Sequence, residues 1–283
     1  MSNPLIAATA LSERLGDPDW IVVDCRWTLT DPSAGPDAYA RSHIPGARYA
    51  NLDRDLARRP GPADGRHPLP DASDFAARLG EWGVRSGSTV VAYDEGGGSY
   101  AARLWWLLGW IGHEARLVLD GGFAAWEAAG LRVETQKPSW RPTRYVAGPV
   151  AADSVVAAAE IPGLQAAGAL LVDARAAARY RGEQEPIDPV AGHVPGAVNR
   201  PGSLNNRPDG RFRPGPELAR ELEGLLDGRA PSELIAMCGS GVTACQLLLA
   251  LQVAGMGGGK LYAGSWSEWI RDPARPIRTG PAP

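Results

Sequence analysis

The chain has 283 residues, 44% of them hydrophobic and 22% charged, with a formal net charge of −3. That is ordinary globular composition, long enough for two domains of about 100–200 residues each. The weak negative balance excludes a broad basic face, so the Arg58-Arg59 pair reads as a solvated loop and no nucleic acid is expected as a partner.

The first twenty residues, MSNPLIAATALSERLGDPDW, lack a charged segment followed by a long apolar core, so no secretory signal is expected. No window approaches 18 uninterrupted apolar residues, and no membrane span or membrane partner is expected. Cys25, Cys238 and Cys245 cannot all pair within one chain, and no Cys-x-x-Cys occurs. A cytoplasmic protein with reduced thiols follows as the expectation.

In chain order, short apolar runs predict strands at Ile21–Val23, Val90–Tyr93 and Leu117–Leu119, with a helix over Ser99–Leu108. Further strands are predicted at Leu170–Val172, Leu234–Met237 and Lys260–Tyr262, with helices over Pro216–Leu226 and Thr243–Val253. The two sets are copies. IVVDCRW (21–27) and SHIPGARYANL (42–52) return as LLVDARA (170–176) and GHVPGAVNRPG (192–202). VVAYDEGGGSYAARLWWLL (90–108) returns as LIAMCGSGVTACQLLLAL (234–251), and DGGFAAW (120–126) as AGSWSEW (263–269). Four landmarks in one order predict a duplicated α/β domain, each copy a mainly parallel sheet flanked by helices. The expected halves are 1–145 and 146–283, with the seam inside KPSWRPTRYVAGPV (137–150).

His43 and His193 recur in both copies within HxPGA and are expected to brace the fold. Trp105, Trp106 and Trp110, at helical spacing, predict a helix face buried against the sheet or the other half. Trp266 and Trp269 are expected to close the core near the site. The last thirteen residues, RDPARPIRTGPAP, are expected to be poorly ordered.

The sharpest local feature is the turn Cys238-Gly239-Ser240-Gly241-Val242-Thr243 between a buried strand and an apolar helix. Beyond the carboxyl ends of such strands an open α/β sheet binds its ligands. Gly239 and Gly241 let the backbone curl so that successive N–H groups point at the sulfur, and the helix dipole faces the same point. Both favour an anionic sulfur nucleophile at Cys238. The repeat sets Asp94 opposite Cys238, so only the second half carries that nucleophile. Cys245, inside the helix, and Cys25, where the other half has Ala174, read as packing residues.

CGSGVTA resembles the active-site loop of the 3-mercaptopyruvate sulfurtransferases, a branch of the tandem rhodanese family. DARAAARYRGEQEPIDPVAGHVPGAVN, GRHPLP and GSWSEW are similar to family motifs as well, so the resemblance covers nearly the whole chain. It implies two rhodanese-like domains, the first catalytically inactive and the second catalytic. It implies sulfur transfer from a small-molecule donor, 3-mercaptopyruvate or thiosulfate, through a Cys238 persulfide to a thiol such as thioredoxin or a small thiol, or to cyanide. No metal or organic cofactor is implied.

The same resemblance implies a proton relay of Ser240 with a histidine and an aspartate from the first half: His67 in GRHPLP, and Asp55 or Asp53, Asp55 being taken first. Arg179 matches a substrate-binding arginine, beside Gly239, Gly241, Val242 and Thr243 of the loop; a plain salt-bridge role is its alternative. The branch carries a second arginine nine residues later, where this chain has Asp188; Arg181 and Arg103 are the candidates to replace it.

Three other readings stand beside this one. Thiosulfate sulfurtransferases place Arg and Lys directly after the cysteine, where Gly239 and Ser240 stand here. A cysteine phosphatase needs an arginine six residues after the nucleophile, where Ala244 stands. A non-enzymatic rhodanese-like scaffold would have lost the nucleophile altogether.

Overall fold

The computed structural model describes residues 3–282. WIVVD and TVVAY form β2 (Trp20–Asp24) and β4 (Thr89–Tyr93), paired in parallel and buried almost throughout. Continuous apolar, β-branched runs suit central strands of a sheet covered on both faces. Around them lie β1 (Leu5–Ile6), β3 (Arg48–Tyr49) and β5 (Arg116–Leu119), in the order β1-β5-β4-β2-β3, all parallel. The second half repeats this with β6 (Leu170–Asp173), β7 (Val198–Asn199), β8 (Leu234–Met237) and β9 (Lys260–Leu261), ordered β7-β6-β8-β9. A parallel bridge from Val155 to Leu261 takes the place that β1 holds in the first sheet.

The expected long strands are present within a residue or two. The two-residue strands β1, β3 and β7 were not expected. β3 and β7 follow the repeated His-x-Pro-Gly-Ala segments, whose function is to turn the chain back onto the sheet edge.

Both histidines of that motif do the same work. His43 stacks on Tyr39 with ring centroids 4.0 Å apart, and its Nδ1 meets the Tyr39 carbonyl at 2.7 Å. His193 stacks on Tyr180 at 3.8 Å and meets the Tyr180 carbonyl at 2.8 Å. Beside them, Arg26 grips Asp24 and Arg175 grips Asp173, both at 2.6 Å.

The helices Ser99–Trp110 and Thr243–Val253 follow the Asp94 and Cys238 turns and pack against each other. Residues 101–108 of the first and 244–251 of the second are all buried, because each helix has a sheet on one side and the partner helix on the other. A helix apolar all round is stable only when enclosed. Trp105, Trp106 and the leucines of both helices therefore join one hydrophobic cluster running through both halves, and separate clusters fill the outer face of each sheet. Burying one Leu contributes about 1.5–3 kcal/mol, so this shared core fixes the halves relative to each other.

Two connections reinforce that. Trp140 Nε1 donates to the Glu81 carbonyl at 2.6 Å, and the backbone of Gly148 and Ala151 donates to Ile111 and Trp110, so the link between the sheets lies along the first half. From the other side, Phe212 N donates to Asp120 at 2.8 Å, and Gln246 donates to the Gly97 carbonyl.

The chain end departs from expectation. Arg278 pairs with His193 in an antiparallel bridge, Trp269 Nε1 donates to the Pro276 carbonyl at 2.9 Å, and Gly280 N donates to the Arg181 carbonyl. Instead of being poorly ordered, the segment to Ala282 is tied down, as the copy of the bridge from His43 to Glu134; Pro283 lies outside the described residues. No helix among the described residues is long and apolar enough to cross a membrane.

Candidate active site

Cys238 stands at the carboxyl end of β8, in the floor of a cleft of about 950 Å³ between the halves. Residues of both copies line it: Trp27, Arg66, His67 and Asp94 from the first, and Arg179, Cys238, Gly239, Ser240, Val242 and Thr243 from the second. The loop is held from behind. Cys238 N donates to Ser265 Oγ at 3.0 Å, while Trp266 N and Ser267 N donate to the Cys238 and Gly239 carbonyls at 3.0 and 2.9 Å. Gly241 faces away from the cleft at φ +76°, where an added Cβ would strike the Ala263 carbonyl, so only glycine closes this turn.

The duplicate reveals what such a turn binds. In the first half, Asp94 occupies the nucleophile position and its carboxylate accepts from Gly98 N at 3.1 Å, Tyr100 N at 2.9 Å and Ala101 N at 3.3 Å. Full burial still lifts its pKa to about 6 against those three donors. The strand-turn-helix unit is thus an anion cradle, filled by the chain's own carboxylate in one copy and carrying Cys238 in the other.

A polar chain reaches Ser240 from the first half. Ser240 Oγ lies 2.8 Å from His67 Nδ1, and His67 Nε2 lies 3.1 Å from Asp53 Oδ1. The His67 ring is braced edge-on by Trp27 at 5.5 Å. Burial, with the Arg103 and Arg66 guanidiniums nearby, pushes the His67 pKa down to about 3, so the imidazole is neutral at ordinary pH. An ionised Asp53 only accepts, which puts the ring proton on Nε2 and leaves Nδ1 to accept from the Ser240 hydroxyl. Asp53 itself is half exposed, with its pKa raised by partial burial.

Asp55, the aspartate taken first from the sequence, is elsewhere. Its carboxylate is buried under the short helix Leu52–Asp55, accepting from Asn51 N at 2.8 Å and pairing with Arg54 at 3.0 Å and Arg78 at 3.1 Å. Asp53 is the residue that meets His67.

Neither proposed replacement arginine faces the cleft. Arg181 pairs with Glu183 at 2.7 Å on the outer surface. Arg103 is fully buried beneath the loop and donates to the carbonyls of Leu56, His67, Pro68 and Gly241 at 3.1–3.4 Å. Its charge also interacts with Cys245 and Cys238. It is a fixed cation joining the halves under the nucleophile loop. Arg103→Leu is expected to lower stability by about 3 kcal/mol, since several buried carbonyls lose their donor at once; urea unfolding checks this.

Arg179 does face the cleft while bridging Glu185 at 2.8 Å and Asp188 at 2.9 Å, so its salt-bridge and binding readings coexist. Arg66, which drew no attention in the sequence, joins it there. Trp266 and Trp269 lie in the outer core of the second half and do not line the cleft; Trp266 underlies Arg175 at 4.6 Å. Cys245 is wholly buried, its thiol donating to the Gly241 carbonyl at 3.2 Å.

The buried neutral His67 has a consequence for stability. Unfolded histidine takes its proton near 6.5 and the folded residue near 3, so the unfolded chain binds more protons between those values. The contribution is intact above pH 6.5 and is lost as pH falls, by about 1.4 kcal/mol per unit through that window. Wild type is expected to lose more stability than His67→Gln between pH 7 and 5, measured by urea unfolding at each pH.

Comparison with known proteins agrees with this architecture. The rhodanese-like domain family matches residues 7–129 and again 157–272. A probable 3-mercaptopyruvate sulfurtransferase of Pseudomonas aeruginosa is 50% identical over 282 residues, 99% of each chain. A putative thiosulfate sulfurtransferase of Mycobacterium tuberculosis is 38% identical over 98% of each chain. Among solved structures, the 3-mercaptopyruvate sulfurtransferase from Leishmania major superposes with a TM-score of 0.83 at 31% identity, over 94% of this chain and 73% of that one. The chain belongs to the rhodanese-like domain family, as a tandem of two copies. Within it, the chain is an enzyme of the sulfurtransferase kind, on the 3-mercaptopyruvate sulfurtransferase branch.

Proposed function

We propose that the protein moves sulfur from 3-mercaptopyruvate to a thiol or cyanide through a persulfide on Cys238. The observation that carries this reading is the Asp53–His67–Ser240 chain at the mouth of an uncharged Cys238 loop. The Cys238 thiolate attacks the donor sulfur, the carbon–sulfur bond breaks, and its electron pair leaves on carbon as the enolate of pyruvate. The donor's thiol proton, carried through Ser240 and His67, ends on that carbon and gives pyruvate. A thiolate acceptor then attacks the outer sulfur and restores the Cys238 thiolate.

A relay of this kind has work only with a carbon leaving group. Thiosulfate leaves as sulfite, which needs no proton at carbon, and a loop cation would serve its sulfonate better. The loop here, Gly239 to Thr243, has none. Thioredoxin or a small thiol is the proposed acceptor class.

The test is a paired assay of 3-mercaptopyruvate against thiosulfate with one acceptor. A higher kcat/KM for mercaptopyruvate is expected. A higher value for thiosulfate would overturn the donor assignment while leaving the fold and nucleophile in place.

A further inference from the structure

At position 188, where the resemblance implies an arginine, the chain carries Asp188, and the structure brings two other cations to it. Asp188 is buried between two guanidiniums of the cleft lining, one carboxylate oxygen on each: Oδ1 receives Arg66 Nη1 and Oδ2 receives Arg179 Nη2. Arg66 comes from the first half, 122 residues away in sequence. The pair is therefore assembled across the cleft, with Asp188 as the shared anchor.

Asp188 uses only the outer donors. Arg66 Nε is buried with no hydrogen-bond partner among the described residues, and neither Arg66 Nη2 nor Arg179 Nη1 is engaged by another side chain or carbonyl there. Those two free nitrogens converge on the nucleophile loop. Arg66 Nη2 lies 2.9 Å from the point that a Cβ on Gly239 would occupy, and Arg179 Nη1 and Nη2 lie 3.5 and 3.6 Å from it. Gly239 directly follows Cys238, and its lack of a side chain lets both guanidiniums pack against the loop beside the nucleophile. Two planar cations with unspent donors facing one point next to the nucleophile form a receptor for a small carboxylate.

We infer that Arg66 and Arg179 together hold the carboxylate of the donor, with Asp188 as the positioning residue that fixes their spacing. Arg66 thereby takes over, from the first half, the task of the cation missing at position 188. The catalytically silent half then supplies part of donor recognition as well as His67 and Asp53. This rests on the reading of the cleft as a 2-oxo acid site, and it adds a residue and a specificity rule to that reading: the carboxylate is recognised across the domain boundary.

The experiment compares wild type, Arg66→Lys and Arg66→Met with two donors: 3-mercaptopyruvate, and 1-mercapto-2-propanone, which has the same reacting atoms and no carboxylate. With mercaptopyruvate, Arg66→Met is expected to raise KM by about 30-fold with kcat changed far less, the scale of one charge-assisted hydrogen-bond pair lost. Arg66→Lys should fall between, since it keeps the charge and loses the fork. With the neutral donor the three proteins should agree within about twofold in kcat/KM. Equal losses with both donors would make Arg66 a structural residue and overturn the inference, as would no loss with mercaptopyruvate. Calorimetric binding of pyruvate to wild type and Arg66→Met is the second measurement, and it needs no turnover. If the wild type proved not to use mercaptopyruvate, the donor assignment would fail. Weaker pyruvate binding in Arg66→Met would still support the clasp, and unchanged binding would overturn it.

Discussion

Cys238→Ser is expected to take up no sulfur and to lose turnover by on the order of 10⁴-fold or more, because the attacking atom is gone. Intact-mass spectrometry after donor treatment reads this directly: the wild type gains about 32 Da and the variant does not. The same experiment discriminates among the thiols. Cys25 and Cys245 are both fully buried, which pushes the Cys25 thiol well above its usual range and the Cys245 thiol up to about 12 despite Arg103 nearby. Both stay protonated at neutral pH and neither lines the cleft. Cys25→Ser and Cys245→Ser are therefore expected to keep the mass gain. Uptake of sulfur by Cys238→Ser would mean that the nucleophile is another residue.

The second large effect concerns the relay. Ser240→Ala or His67→Gln is expected to lower kcat with mercaptopyruvate by about 10²–10⁴-fold, the usual worth of a positioned proton donor. The loss should appear in donor cleavage, measured as pyruvate release in a single turnover. Transfer from a preformed persulfide to a thiol should change little, since no carbanion is formed in that step. Asp53→Asn removes the acceptor that fixes the His67 tautomer and should lower donor cleavage in the same direction. Asp55→Asn is the control. Its carboxylate has three donors and no path to the cleft, so about 1–3 kcal/mol of stability should be lost with kcat near wild type. The opposite pattern for the two aspartates would sink the assignment of Asp53.

The aspartate choice illustrates what residue order leaves open. Asp53 and Asp55 sit two positions apart in one short helix, and residues two apart face opposite sides. One must look into the cleft and the other into the protein, but nothing local says which. The direction is fixed by where that helix lands, against Arg78 on one side and His67 on the other.

Arg66 was illegible for a related reason. Its meaning lies in Asp188 and Gly239, both in the other half, and a lone arginine in GRHPLP carries no mark of that. Arg103 is visible in the sequence as a candidate cation for the cleft, but an apolar helix buried on all sides carries it under the loop instead. The chain end was judged by its prolines, whereas pairing with His193 holds it.

By itself, the order of residues determined the duplication, the α/β class, the turn that holds Cys238, and the helix Thr243–Val253 to the residue. These are local matters: strand-length apolar runs, glycines where φ is positive, a cysteine between strand and helix. Only the tertiary structure decided the strand order, the Asp53–His67–Ser240 chain, and the pairing of Arg66 with Arg179 through Asp188. The last two depend on residues more than a hundred positions apart meeting across a cleft. That meeting is set by the packing of two buried helices, and the cleft they frame is a property of neither half alone.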